Sequence, residues 1–294
     1  MPQFATPEPV TATVNLVAGS ARIVASDRTD TVVEVLPAFT GKEGDADVAK
    51  ETTVSFAGGR LLVQAPKGKV SRRESGAVRV LVELPRGSVV EGTIAMGGFT
   101  VEGELERCRL TATEGDLSVD RAEAVQLSTR HGDVAVGAVT ASARITTGTG
   151  QVRIGRVAGR CEIDNSNGAT RVDEARGTLR VKATRGDVSI GRSLATVNAT
   201  TALGIVSVNE VAAGRVEVRV RQGSADIGLL DGVPAQLDVK ATFGTVYGSL
   251  GAVEDPGDAE DVVVVHARVD NGDIHVRRAH STERQPAELA GARD

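Results

Sequence analysis

The sequence contains 294 residues, of which 40% are hydrophobic, 2% are aromatic and none is Trp. A chain of this length can bury a substantial core, and so few aromatic residues mean that Val, Ala, Leu and Ile must build it. The net charge of −5 and the scarcity of aromatic side chains for base stacking argue against a general nucleic-acid-binding protein.

The N-terminal third of the chain is rich in short β-branched runs that are separated by turn residues. These runs predict strands over residues 11–17, 21–25, 31–36, 52–56, 61–64 and 77–84. Turns are predicted at Gly19, at Asp27, over residues 41–47, at Gly58–Gly59 and over residues 66–76. Because a stack of strands exposes an unpaired edge at each end, we interpret residues 1–90 as a β-rich capping region that is continuous with the stack described next.

Neither end of the sequence predicts a membrane segment. The N-terminus lacks a basic stretch followed by an apolar stretch, so we expect no secretory signal and a cytoplasmic location. The apolar run over residues 262–265 is far shorter than the roughly 20 residues that span a bilayer, so we expect no membrane insertion.

A regular spacing of glycines begins at Gly97 and is the strongest signal in the sequence. The successive spacings are 18, 17, 18, 18, 18, 18, 19, 21 and 28 residues. The anchor glycines are Gly97, Gly115, Gly132, Gly150, Gly168, Gly186, Gly204, Gly223, Gly244 and Gly272. An anchor glycine is typical of a turn with positive φ, and the Asp that often follows it can bond nearby backbone N–H groups.

Each repeat contains two alternating apolar pairs, which predict two half-buried strands. The first pair lies two and four residues after the anchor, as in Val152 and Ile154, and the second lies eleven and thirteen residues after it, as in Cys161 and Ile163. We therefore predict an all-β, solenoid or β-roll-like stack of two-strand rungs of about 18 residues over residues 91–278. The rival is a hexapeptide β-helix with three short strands per coil, which would require one apolar residue every six positions.

The C-terminal part departs from the regular spacing. The last gap contains an acidic insert over residues 254–261, which we interpret as a solvated loop, with calcium binding as the alternative. Residues 279–294 are polar and are predicted to form a C-terminal tail.

Reactive side chains are few and scattered. Cys108 and Cys161 share one core column three rungs apart, roughly 14 Å at the strand spacing, so we expect two reduced, buried thiols and no disulfide. The four histidines show no metal-ligand spacing; they are His131, His266, His275 and His280. The tripeptide Arg185–Gly186–Asp187 is explained by the repeat, in which Asp often follows the anchor glycine, and we expect no receptor-binding role for it. We therefore predict no catalytic, cofactor-binding or metal-binding residues.

Outward positions carry charges that the repeat would align. Twelve residues after successive anchors lie Arg144, Glu162, Arg180 and Asn198, which predict an exposed ion ladder worth at most about 1 kcal/mol per pair. Arg153 and Arg171 are neighbours on the first strand and could bind an anionic group, although plain surface charge is the simpler interpretation.

Units that begin with Gly–Asp and continue with alternating apolar residues recur along the chain, as in Gly115–Asp116–Leu117–Ser118–Val119 and Gly186–Asp187–Val188–Ser189–Ile190. With these units and the segment that opens at Thr6, the chain resembles the toast-rack family of bacterial, adhesin-like β-strand-repeat proteins. The resemblance implies a solenoid-like fold without known catalytic residues, and it implies an association of some relatives with cell-envelope stress systems.

The sequence favours a non-enzymatic scaffold that binds a protein partner or a second copy of itself. Two alternatives stay open. A carbohydrate-active solenoid enzyme would need carboxylates and basic residues clustered in a groove, and an exported surface adhesin would need an export route. The expected ligand classes include no nucleic acid.

Overall fold

A computed structural model describes residues 2–66, 76–249 and 262–279. These residues form 22 strands and a short helix, which confirms the prediction of an all-β, solenoid-like stack with a β-rich N-terminal cap. No helix within these ranges is long and apolar enough to cross a membrane. The acidic insert, residues 280–294 of the predicted tail and His280 lie outside the described residues, and Ala279, the first residue of that tail, is the last residue of a strand.

The N-terminal elements agree with the predicted strands and add one short strand and one helix. They are β1 (Gln3–Ala5), β2 (Thr11–Ser26), β3 (Asp30–Pro37), α1 (Glu43–Glu51), β4 (Thr53–Ala57), β5 (Arg60–Gln64) and β6 (Val78–Pro85). The runs at residues 11–17 and 21–25 form one strand, β2, which passes through Gly19. The first half of β2 pairs in parallel with β5, and its second half pairs in parallel with β6. Strand β4 pairs antiparallel with β5, and β3 pairs antiparallel with β6.

The prediction of a turn over residues 41–47 is wrong, because α1 begins there. The helix carries acidic residues in its first turn and a lysine in its last turn, an arrangement that suits the helix dipole. Asp45 is buried and accepts backbone N–H bonds from Phe39 (3.1 Å) and Ala77 (2.9 Å). Burial would raise the pKa of Asp45, but the Ala77 N–H, the Lys42 ammonium and the Phe39 N–H lower it overall. This side chain ties the start of the helix to the two flanking segments.

The repeat region contains the remaining strands, two for most rungs. They are β7 (Val89–Glu114), β8 (Leu117–His131), β9 (Val134–Thr149), β10 (Val152–Val157), β11 (Arg160–Asn167), β12 (Thr170–Ala175), β13 (Leu179–Arg185), β14 (Val188–Ser193), β15 (Val197–Leu203), β16 (Val206–Val211), β17 (Arg215–Gln222), β18 (Ala225–Leu230), β19 (Ala235–Phe243), β20 (Val246–Ser249), β21 (Val263–Asn271) and β22 (Ile274–Ala279).

These strands stack into two parallel ladders, one for each half of the rung. Ladder I contains the strands that follow the glycines, such as β10, β12 and β14, and ladder II contains the strands that precede them, such as β11, β13 and β15. The register advances by one repeat, so that Val152 lies between Val134 and Thr170. Two ladders per rung do not fit the rival hexapeptide β-helix, which would need three short strands in each coil.

A column of glycines joins the two ladders at every rung, with φ between +122° and +156°. We call these positions glycine corners. They comprise the ten predicted anchors and Gly19, which pairs with Gly97 across β2 and β7. An added Cβ at any of the ten anchors would lie 1.7–2.3 Å from the carbonyl oxygen of the preceding corner glycine. Glycine is therefore required both for its backbone conformation and for the close approach of the next rung.

Polar side chains satisfy the backbone around the corners. The predicted role of the Asp after the anchor is observed between rungs: Asp133 Oδ1 accepts the Gln151 N–H at 2.7 Å, and Asp187 Oδ1 accepts the Ile205 N–H at 2.8 Å. Three residues before the next corner, the buried Asn165 Nδ2 donates to the Gly150 carbonyl at 3.2 Å. Thr129 and Thr201 occupy the same position and donate to Gly115 and Gly186. The sequence interpretation missed this second set.

The last rung is not the one nearest the end of the chain. β21 and β22 insert between β17–β18 and β19–β20, because β21 pairs with both β17 and β19 and β22 pairs with both β18 and β20. The corners therefore follow the spatial order Gly223, Gly272, Gly244. This order differs from the order in the sequence, because spacing along the chain does not report which strand edge each rung joins.

The two cysteines lie in one core column, as predicted. The register runs from Cys108 through Val125 and Ala143 to Cys161, and both thiols are free and fully buried. Burial raises the pKa of both thiols to about 12, and the nearby Glu162 carboxylate adds to the rise at Cys161.

Replacement of a corner glycine should destabilise the stack. In Gly168→Ala, the new Cβ would lie 2.0 Å from the Gly150 carbonyl oxygen at φ +137°, and the backbone strain alone costs about 1–3 kcal/mol. Gly248→Ala is the matched control, because its Cβ would meet no atom within 4 Å. Urea unfolding followed by circular dichroism should show a lower midpoint for Gly168→Ala than for Gly248→Ala; equal midpoints would contradict the steric role of the corner.

The native thiols should resist alkylation. With pKa values raised to about 12, both thiols are protonated at pH 8, and the reactive thiolate is scarce as well as enclosed. Iodoacetamide at pH 8 should label neither cysteine in the folded protein and both in guanidinium, as read by intact mass. Rapid double labelling of the folded protein would show that this core column is open to solvent.

Candidate functional site

The outward face of ladder II contains a depression that is lined by four arginines, Arg107, Arg109, Arg144 and Arg160. Two columns of outward residues run side by side across the strands here. One contains Arg107, Ala124, Ser142 and Arg160, and the other contains Arg109, Gln126, Arg144 and Glu162. They line a depression of about 510 Å³, which we call the arginine depression. Because adjacent strands lie about 4.8 Å apart, the four guanidinium groups belong to one continuous surface.

Small side chains make the floor of the depression, and long side chains make its rim. Ala124 and Ser142 lie between Arg107 and Arg160 in one column, so the two arginines flank a dip that is two rungs wide. The strands beneath are paired on both sides, and the inward residues Val125 and Ala143 are buried. The floor is therefore a rigid part of the stack.

The positive charge of the depression is only partly neutralised. Arg144 forms an ion pair with Glu162 at 2.9 Å, whereas Arg107, Arg109 and Arg160 form no ion pair within the described residues. A guanidinium group offers a planar fork of donors that matches a carboxylate or phosphate. The arrangement can thus bind an anionic group without first breaking an ion pair at three of its four arginines.

The predicted ladder at Arg144, Glu162, Arg180 and Asn198 is in register across adjacent strands. The Arg144–Glu162 pair forms, and Asn198 Nδ2 donates to Glu217 at 3.0 Å on the following rung. Farther along the same column, Asp238 accepts from Arg268 Nη2 at 2.6 Å and contacts His266 Nδ1 at 3.2 Å. Hydrogen bonds from Arg268 and His266 lower the pKa of Asp238.

A second ion ladder lies on ladder I and was missed in the sequence. Arg156, Glu174, Arg192 and Glu210 occupy one column, with N–O distances of 3.3 Å for Arg156–Glu174 and 2.9 Å for Arg192–Glu210. Hydrogen bonds from Arg176 and Arg156 lower the pKa of Glu174. The signal was available, because these alternating charges all lie six residues after successive anchors.

Arg153 and Arg171 are adjacent, as the repeat predicts, but each turns to its own strand. Arg153 Nη2 donates to Gln151 at 2.6 Å, and Arg171 Nε pairs with Asp173 at 2.8 Å. The sequence interpretation selected this pair and missed Arg107, Arg109 and Arg160. The sequence signal that could have located these three arginines is the pair of small residues, Ala124 and Ser142, which lies between Arg107 and Arg160 in the column.

The other candidate residues serve the fold or stay apart. His275 stacks on Tyr247 with ring centroids 4.8 Å apart, and within the described ranges no three His, Cys, Asp or Glu side chains converge as metal ligands. In the Arg185–Gly186–Asp187 tripeptide, Gly186 is a corner and Asp187 holds the Ile205 N–H of the next rung.

Comparison with known proteins relates the chain to bacterial β-repeat proteins. It matches the family described as Toastrack DUF4097 over residues 66–277, and no curated protein matches it. A "putative adhesin" from Bacteroides fragilis is 14% identical with a TM-score of 0.33, covering 94% of this chain and 95% of that chain. A "putative adhesin" from Parabacteroides distasonis is 13% identical with a TM-score of 0.37, covering 93% and 95%.

A further solved structure, a "putative lipid binding protein" from Parabacteroides distasonis, is 10% identical with a TM-score of 0.37 and covers 95% of both chains. The family match extends over more than half of the sequence and contains the anchors from Gly97 to Gly272. The chain is therefore a member of the toast-rack DUF4097 family.

Proposed function

We propose that the protein is a non-enzymatic interaction scaffold whose arginine depression binds an acidic segment of a protein partner. The observation that carries the proposal is the set of three arginines without a carboxylate partner, Arg107, Arg109 and Arg160, around a floor of small residues. On the ion ladder of ladder I, by contrast, Arg156 pairs with Glu174 and Arg192 pairs with Glu210, so these arginines already have carboxylate partners.

The rigidity of the surface supports a binding role. Each strand below the depression is fixed by two neighbours, and its inward residues are packed in the core. A preformed surface loses little conformational entropy when a ligand binds. The spacing of the columns, about 4.8 Å between rungs and about 6.6–6.8 Å between alternate residues of a strand, suits an extended peptide with carboxylates at short intervals.

The chemistry of the depression favours binding over hydrolysis of a glycan. A glycosidase of the usual type needs two carboxyl groups on opposite sides of the scissile bond. The depression is lined by one carboxylate, Glu162, and that group is paired with Arg144. We do not include nucleic acid in the proposed ligand class. The compartment that we propose for the protein is the cytoplasm.

A fluorescent peptide of ten glutamates should bind the protein at low salt, with weaker binding as salt rises. The triple variant Arg107→Glu, Arg109→Glu and Arg160→Glu should weaken binding by about tenfold or more, because three exposed charge contacts of up to about 1 kcal/mol each are replaced by repulsion. Fluorescence anisotropy measures the dissociation constants.

The matched control is Arg153→Glu with Arg171→Glu, which makes similar charge changes on ladder I and should retain binding. Equal affinity of the wild type and the triple variant would contradict the proposed site. An oligo-dT strand that binds as tightly as the peptide would contradict the ligand class.

A further inference from the structure

The two ends of the stack differ in how their strand edges are covered. At the N-terminal end, β4 and β3 pair antiparallel with β5 and β6, and Phe4 stacks on Phe56 with ring centroids 5.0 Å apart. At the other end, within the described residues, β19 pairs only with β21 and β20 pairs only with β22. An uncovered strand edge presents free N–H and C=O groups that favour pairing with another strand.

The uncovered end also exposes apolar side chains. Phe243 is 71% exposed, Tyr247 is 50% exposed and Val246 is 41% exposed. The inward residues of β19, such as Leu237 and Val239, are only partly buried, whereas the corresponding residues of the preceding rung, Val265, Ala267 and Val269, are at most 1% exposed. The hydrophobic core therefore continues to the last rung without a cover in the described part of the chain.

We propose that β19 pairs antiparallel with β19 of a second copy, across a two-fold axis that passes through Val239. In an antiparallel pair, two residues that lie directly opposite each other point to the same face of the sheet. The inward residues of one strand must therefore lie opposite inward residues of the other. This register places Leu237 opposite Ala241 and Ala235 opposite Phe243 of the second copy, so that the two cores join.

Charge selects this register over its neighbours. With the axis at Val239, Asp238 lies opposite Lys240 of the second copy, and the same contact forms twice. Moving the axis to residue 238 would place the two Asp238 side chains opposite each other, and moving it to residue 240 would do the same for Lys240. Opposed like charges destabilise a strand pair. Asp238 uses Oδ2 for Arg268 and His266, which leaves Oδ1 facing no donor in the described residues.

The size of the end face indicates a reversible dimer. Nine residues of β19 extend about 30 Å at roughly 3.3 Å each, and two ladders about 10 Å apart give an end face of about 300 Å² per copy. The total of about 600 Å² is below the roughly 1,200 Å² of stable specific interfaces and fits a weak, reversible contact. The dimer surface is separate from the arginine depression, so this inference does not rest on the proposed function and can fail without it.

Sedimentation velocity of the full-length protein from about 5 to 500 µM, a range suited to a small interface, should show a concentration-dependent change from monomer to dimer. Lys240→Glu should weaken the dimer by about tenfold or more, because it places Glu opposite Asp238. A mixture of Lys240→Glu with Asp238→Lys should form a heterodimer in which both charge pairs are restored. A wild-type protein that stays monomeric over the whole range would overturn the proposal.

Disulfide trapping tests the register without relying on charge variants. Val239→Cys should form a disulfide between copies under mild oxidation, since residues on the axis lie within the roughly 7 Å that a disulfide requires. Thr242→Cys, on the same strand but opposite Gln236 of the second copy, is the control and should not. Cross-linking of Thr242→Cys in preference to Val239→Cys would show a different register. Glutamate-peptide binding measured on the same variants shows separately whether the arginine depression is intact.

Discussion

The close approach of one glycine to the next is the constraint on which the whole stack depends. At each corner the backbone adopts a positive φ, and at the ten anchors the position of a Cβ is taken by the carbonyl oxygen of the preceding corner. Asp side chains such as Asp187 bond the next rung's N–H, and Thr or Asn side chains such as Asn165 bond the preceding corner's carbonyl. The corner thus packs tightly and leaves few backbone groups unpaired.

The same constraint explains where function can lie. Inward positions are filled by Val, Ile, Leu and Ala, because each rung buries its apolar face only against its neighbours. Side-chain chemistry is therefore confined to outward columns, which repeat at the strand spacing, and to the two ends. On some columns opposite charges form ion pairs between rungs, as in Arg156–Glu174 and Arg144–Glu162. The arginine depression leaves three arginines without an ion pair within the described residues, and the end formed by β19 and β20 exposes Phe243, Val246 and Tyr247.

Much of this architecture could be predicted from the sequence, because the glycine period sets both the corners and the columns. The column of Cys108 and Cys161 and the adjacency of Arg144 and Glu162 follow directly from it. Three features could not be predicted in this way. Gly19 is separated from Gly97 by the chain that forms β3 to β6, the position of β21–β22 depends on strand pairing and not on spacing, and the arginine depression depends on small residues one and two rungs away.

Deletion of one complete rung, residues 151–168, tests whether the stack is built from interchangeable rungs that are joined at glycine corners. Because each rung contacts only its neighbours, removing the segment from one corner to the next should bring Gly150 into the place of Gly168 and preserve every column. The shortened protein should fold, with a β-rich circular dichroism spectrum and a cooperative thermal transition, whereas deletion of residues 151–159 should abolish folding. An unfolded full-rung deletion, or a folded half-rung deletion, would show that the glycine corners do not define the repeating unit of the stack.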